Sequence, residues 1–170
     1  MAARGFTNIQ VKHADVEAVR KALDECVIEQ SKLFGRANVD WIAIYPSATE
    51  DGDGELLKEY CQCISKNLDA KVFGLLVSGE ATLMYAIFDH GTMLDEYEAG
   101  SHTVPAHIDS FLTLCPASVK RKEVESLFSS HREGTIASQS FVYALGHFLS
   151  IPRAQIGMGF SHLKDAQAGR

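Results

Sequence analysis

Hydrophobic and polar positions assign most of this chain to regular elements, and the densest pattern lies between Lys71 and Glu98. Lys71–Ser78 (KVFGLLVS) is a nearly unbroken apolar run, Ser78-Gly79-Glu80 turns it, and Ala81–Asp89 (ATLMYAIFD) runs back. Asp89-His90-Gly91 turns the chain again, with Gly91 suited to the positive φ of a three-residue loop. Thr92–Glu98 (TMLDEYE) then makes a third antiparallel strand. The short runs, their β-branched and aromatic content and the glycine-containing turns favour strands over a buried helix.

Ahead of this meander, Gly5–Lys12 alternates Phe6, Asn8 and Gln10 against Thr7, Ile9 and Val11, the pattern of a short first strand near an edge. Asp15 opens a helix with Glu17 in its first turn. Val16, Val19, Leu23, Cys26, Val27 and Gln30 share one face of that helix, which is predicted to end near Phe34 at Gly35. Val39–Tyr45 is apolar almost throughout, as a strand covered on both faces would be, and Pro46 closes it. After the polar loop Ser47–Gly54, Asp53 caps a second helix, Glu55–Asn67, with Leu57, Tyr60, Cys61, Ile64 and Leu68 as its apolar stripe.

Beyond the meander, Gly100–Pro105 is a connector and helices are predicted over Ala106–Cys115 and Val119–His131, the second finishing at Gly134. Thr135 or Ser138 caps a further helix that reaches Leu149. Gln155–Leu163 sets Ile156, Met158 and Phe160 against Gly157, Gly159 and Ser161, which reads as a closing strand, and a frayed tail follows from Lys164. The order β-α-β-α-β-β-β, a helical region and a last strand describes one α+β domain over residues 1–170. Its sheet is expected to be mixed but mostly antiparallel, with two leading βα crossovers and helices packed on it. Trp41, Ile44, Phe73, Leu75, Met84, Ile87 and Phe141 are the expected core.

Charge and cysteine content narrow the class. Sixteen Lys and Arg against 22 Asp and Glu leave a formal charge of −6, which gives no overall attraction to nucleic acid or an anionic membrane. Hydrophobic residues make up 46% of the chain, but no run reaches the length of a bilayer span and the N-terminal stretch has no signal-like apolar segment. A cytoplasmic protein is the expectation. Cys26 and Cys61 lie on apolar stripes, where a free thiol packs as a small hydrophobe. Cys61 and Cys63 are about 200° apart around a helix and unsuited to sharing a metal or a disulfide. Cys115 precedes Pro116, no C-x-x-C pair exists, and a cysteine zinc site is not expected.

The segment MYAIFDHGTMLDEYEAG, preceded by WIAIYP and followed by LSIPRAQIGMGFSHL, resembles a group of uncharacterised bacterial proteins. These pair an Asp-x-Gly turn and a Leu-x-Asp-Glu-Tyr strand with a C-terminal proline turn and a glycine-rich strand. The shared motifs are structural turns, so the resemblance implies no function and no catalytic residue.

Candidate chemistry is sparse. A calcium loop starting at Asp51 would put Leu56 where glycine is required and Gln62 where the bidentate glutamate belongs, so the acidic loop reads as a solvated turn with a cap. In the third strand Asp95 and Tyr97 share one face and Glu96 and Glu98 the other, as charges that keep an edge strand soluble or as paired carboxylates for acid–base work. His90, His102 and His107 lie in connectors near Asp89, Asp95 and Asp109, and could ligate a metal only if those loops converged. His147, next to Phe148, reads as a packed histidine. There is no Gly-x-Ser-x-Gly elbow and no phosphate loop, Gly157-Met158-Gly159 is half a dinucleotide fingerprint, and Lys120-Arg121-Lys122 is a solvated basic run.

The leading expectation is a soluble, cytoplasmic, non-enzymatic binding or interaction protein that recognises a protein or small molecule. It carries no metal and no cofactor, and its composition permits a homo-oligomer. The alternative is a small hydrolase or metal-assisted enzyme using residues between Asp89 and Asp109, with His102, His107, Asp95 and Glu98 as candidates.

Overall fold

The computed structural model describes residues 5–35, 40–79, 82–100 and 102–163. Among these residues six strands form one sheet: β1 (Phe6–Lys12), β2 (Ser31–Phe34), β3 (Trp41–Pro46), β4 (Lys71–Ser78), β5 (Thr82–Asp89) and β6 (Thr92–Ala99). Helices α1 (Val16–Glu25) and α2 (Gly54–Leu68) connect the first four strands. Helices α3 (Ile108–Leu112), α4 (Arg121–Arg132), α5 (Ser138–Leu149) and α6 (Arg153–Ile156) follow the last. The fold is α+β, as expected.

Sheet order is β2-β3-β1-β4-β5-β6, and every neighbouring pair is antiparallel. β1 runs opposite to β3 and β3 opposite to β2, so α1 links two strands of the same direction with β3 inserted between them. By the same logic α2 links β3 to β4 across β1. The two crossovers are therefore split βαβ units, and no adjacent pair among the described strands is parallel. β1 lies inside the sheet rather than near an edge.

Each face of the sheet carries its own helical layer. On one, α1 and α2 bury Val19, Leu23, Leu57 and Ile64 against Ile9, Ile44, Val72 and Leu76. On the other, α3 to α6 bury Phe111, Phe128, Phe141 and Ile156 against Trp41, Phe73, Leu75, Tyr85 and Tyr97. All seven residues expected in the core are buried. Gly74 shows how closely the first layer approaches: a Cβ there would lie 2.5 Å from Cys61 Sγ, so α2 can sit on β4 only over a bare backbone.

Local chemistry accounts for the element ends. Asp15 accepts from the N–H groups of Glu17 and Ala18, and Asp53 from that of Leu56, so both predicted caps are present. α1 stops at Glu25 instead of running to Phe34, and Ser31–Phe34 pairs with β3 as an added edge strand. Val27 and Gln30 take positive φ between the two, which breaks the helical stripe. The third helix starts at Ile108 rather than Ala106, after Val104 has bridged back to Glu98.

This early stop redirects a cysteine. Cys26 becomes the C-cap of α1 and forms a disulfide with Cys63 of α2, their Cα atoms 5.9 Å apart. The expectation of a free, packed Cys26 is corrected. The angular separation of Cys61 and Cys63 sends Cys61 into the core and Cys63 towards α1.

The closing strand is also corrected. Residues 153–163 cross the sheet face as short helical turns at 153–156 and 160–163. Polar side chains of β1 take the place of a neighbouring strand. Asn8 Nδ2 donates to the carbonyls of Ile156 and Met158, and the buried Gln155 Nε2 donates to Gln10 Oε1 and to the Trp41 carbonyl. Tyr45 donates its hydroxyl to the Gln155 carbonyl. The tail from Lys164, together with Val39, Glu80, Ala81 and Ser101 of the predicted strands, turn and connector, lies outside the described residues.

Candidate functional site

A cleft of about 590 Å³ opens where the end of β6, the connector to α3, the last turns of α4 and the start of α5 meet. That size falls in the range of small-molecule sites. Its apolar wall comes from Ala99, Pro105, Ala106, Ile108 and Ile136, and its polar groups from Glu125, Ser129, Arg132, His131 and Ser138. The connector is held in shape from both sides. Glu98 and Val104 exchange backbone hydrogen bonds of 3.0 and 2.9 Å, which folds the connector against the outer edge of β6. Further on, the His107 N–H donates to Asp95 Oδ1 at 2.8 Å.

A buried polar chain lines the base of the cleft. Tyr97 Oη lies 2.7 Å from His131 Nδ1, and His131 Nε2 lies 3.3 Å from Ser138 Oγ. Their exposures of 3%, 8% and 7% put all three side chains largely out of bulk water, while each still borders the cavity. The chain therefore ties β6, α4 and α5 together through one imidazole.

Aromatic packing fixes that imidazole. Phe141 stacks on its face with centroids 4.1 Å apart and planes at 16°. Phe128 meets Tyr97 and Phe141 edge-on, each at 5.1 Å, and Tyr85 stacks on Tyr97 at 5.4 Å. Burial lowers the His131 pKa below its ordinary value and favours the neutral ring. Burial pushes the Tyr97 phenol up to about 12, so it keeps its proton at neutral pH. Two neutral groups and a hydroxyl can shift hydrogen-bond direction along the chain without creating a buried charge.

The four residues singled out in the sequence take separate positions. Asp95 is buried under the sheet, where it accepts from Tyr85 Oη at 2.8 Å as well as from His107 N–H, and burial raises its pKa. Glu98 points to the opposite face, opposite Met84. His102 and His107 are exposed. His90 lies in the turn before β6 and His102 in the connector after it, so the eight residues of that strand, about 26 Å in length, lie between them along the chain. It flanks a second, strongly mixed-charge depression with Lys12, Asp69, Lys71 and Asp89. Among the described residues no group of three or more His, Cys, Asp or Glu is placed to hold a metal ion.

In the acidic loop, Glu50 accepts from the Ser161 backbone and hydroxyl, and Asp53 serves as a cap. His147 is exposed, so the packed histidine is His131 instead. The sequence did carry a signal for it. Val124, Phe128 and His131 fall at i, i+4 and i+7, all on the buried face of α4. Ser138 is the first residue of α5 rather than its cap, and Ala137 holds the N-cap position.

Fold and cleft define an α+β protein with an antiparallel sheet between two helical layers and a polar chain beneath a cleft. No family model, no curated protein and no solved structure matches the chain. Among the described residues no helix is long and apolar enough to cross a membrane.

Proposed function

We propose that this protein binds a small molecule in the cleft between β6, α4 and α5. The observation that carries the reading is the juxtaposition of an apolar wall with the Tyr97–His131–Ser138 chain, one side for hydrophobic contact and the other for oriented hydrogen bonds. A protein partner has less support. The large hydrophobic side chains exposed among the described residues are Val27 and Met93, on separate elements, and form no broad patch. Nucleic acid and membrane partners are disfavoured by the formal charge of −6.

The test is a fragment screen by NMR with Ala106→Trp, which fills the cleft, and Val27→Trp, which changes an exposed residue elsewhere. The expected result is a set of fragments that shift resonances of Ala99, Ile108 and Ile136, lost in Ala106→Trp and kept in Val27→Trp. Fragments that bind equally to both variants would overturn the reading. A cytoplasmic location belongs to the same proposal. It makes the Cys26–Cys63 bond a reversible one, because most thiols there are held reduced. Alkylation of the protein straight from cells, followed by mass spectrometry, reads its thiol state.

A further inference from the structure

We propose that Ser138 is a nucleophile that His131 activates, and that the cleft takes small, uncharged acyl esters and hydrolyses them. The inference rests on the cleft being a small-molecule site and adds a reaction to it. It also moves the hydrogen-bonded chemistry away from the candidates between Asp89 and Asp109: of that stretch Tyr97 joins the polar chain, while Ala106 and Ile108 supply apolar wall.

Geometry supplies the argument. A serine hydroxyl attacks a carbonyl when a base takes its proton and a third group holds that base in the correct tautomer. His131 Nε2 stands 3.3 Å from Ser138 Oγ, and its Nδ1 stands 2.7 Å from Tyr97 Oη. With Nδ1 protonated and donating to the phenol oxygen, Nε2 is left as the acceptor facing Ser138. Burial disfavours the protonated ring at rest, so Nε2 is available at neutral pH. The imidazolium that forms during attack lies flat against Phe141 at 4.1 Å, where the ring face stabilises a cation. Apolar Ala106, Ile108 and Ile136 line the same cavity and suit an uncharged acyl group better than a carboxylate or phosphate.

The reaction balances with water alone. Ser138 Oγ forms a bond to the ester carbonyl carbon as its proton passes to His131 Nε2. The C–O bond to the alcohol then breaks, and the leaving oxygen takes that proton. Water, deprotonated by the same nitrogen, attacks the acyl carbon, releasing the carboxylic acid and returning the proton to Ser138. A neutral tyrosine stabilises the imidazolium less than a carboxylate would, so activated esters are the substrates of choice.

The experiment uses the full chain with 4-nitrophenyl butyrate, a fluorophosphonate probe and the inert anilide N-(4-nitrophenyl)butanamide. The expected result is turnover, with one probe adduct on the Ser138 peptide by mass spectrometry. Both are lost in Ser138→Ala, whose amide NMR spectrum shows that it is still folded. His131→Gln is expected to slow turnover by roughly 100-fold or more. Anilide binding in the wild-type cleft without turnover or adduct overturns the nucleophile and leaves the binding reading standing. An adduct or turnover that survives Ser138→Ala also overturns it. Absence of both anilide binding and reaction removes the nucleophile and counts against the cleft itself.

Discussion

Replacing Gly91 with alanine attacks the β5–β6 hairpin at a position where the backbone and its surroundings act together. Asp89 pairs with Thr92, so the turn has two central residues, His90 and Gly91, at φ of 50° and 78°. That is a two-residue loop with both central residues left-handed, tighter than the three-residue loop expected from Asp-x-Gly. Left-handed backbone costs a non-glycine residue about 1–2 kcal/mol. In addition, a Cβ on Gly91 would stand 2.9 Å from Lys66 Cβ and 3.3 Å from its Cγ. The turn cannot simply lift away, because Gly91 N–H donates to Ser65 Oγ at 3.1 Å and Gln62 Nε2 donates to the Gly91 carbonyl at 3.1 Å. Relieving the overlap adds about 1 kcal/mol or more. Gly91→Ala is thus expected to lose about 2–4 kcal/mol, or very roughly 5–12 °C in Tm for a domain of this size. Gly91→Val should lose more. Urea titration followed by Trp41 fluorescence measures the loss. His90→Gly is the control: it keeps the turn geometry, and its stability should stay within about 1 kcal/mol of wild type. A Gly91→Ala protein within 0.5 kcal/mol of wild type, on the order of ordinary surface substitutions, would refute both the backbone and the contact argument.

Two further outcomes are expected. Cys63→Ser opens a loop with a sequence separation of 37, and the chain-entropy relation gives a loss of about 4 kcal/mol under oxidising conditions; equal melting of variant and wild type without reductant would contradict it. His131 is held neutral by burial, with its pKa below the ordinary 6.5, so its contribution is complete above that pH and falls as the unfolded chain takes up a proton that the fold refuses. The stability difference between wild type and His131→Gln should therefore be flat above about pH 7 and shrink towards pH 5, read by urea titrations across that range. A difference that grows on acidification would reverse the assignment. Asp95, whose raised pKa acts in the opposite sense, is present in both proteins and cancels.

Periodicity within one element was enough to set much of this molecule. The apolar runs of β3, β4 and β5, the caps Asp15 and Asp53, and the division of β6 into an Asp95–Tyr97 face and a Glu96–Glu98 face are properties of neighbouring residues, so they are readable along the chain. Misreadings occurred where a distant partner changed what a pattern meant. The alternation of Phe6, Asn8 and Gln10 with Thr7, Ile9 and Val11 suggested a strand near an edge, yet Gln155 and the carbonyls after it cover Asn8 and Gln10 in the middle of the sheet. The alternation of Ile156, Met158 and Phe160 has the period of a strand, but its hydrogen-bond partners are side chains of β1 rather than another strand.

Cys26 could be placed on a helical stripe only while α1 was taken to continue past Glu25. Pairing of Ser31–Phe34 with β3 ends that continuation and brings Cys26 to Cys63. The candidate site follows the same rule. Tyr97, His131 and Ser138 come from a strand and two helices, 41 residues apart from first to last, and each alone reads as a core aromatic, a stripe histidine or a cap. Only the packing of α4 and α5 over the end of β6 brings the three within hydrogen-bond reach. A hydrogen-bonded chain depends on distances of about 3 Å, which sequence spacing across three elements does not encode.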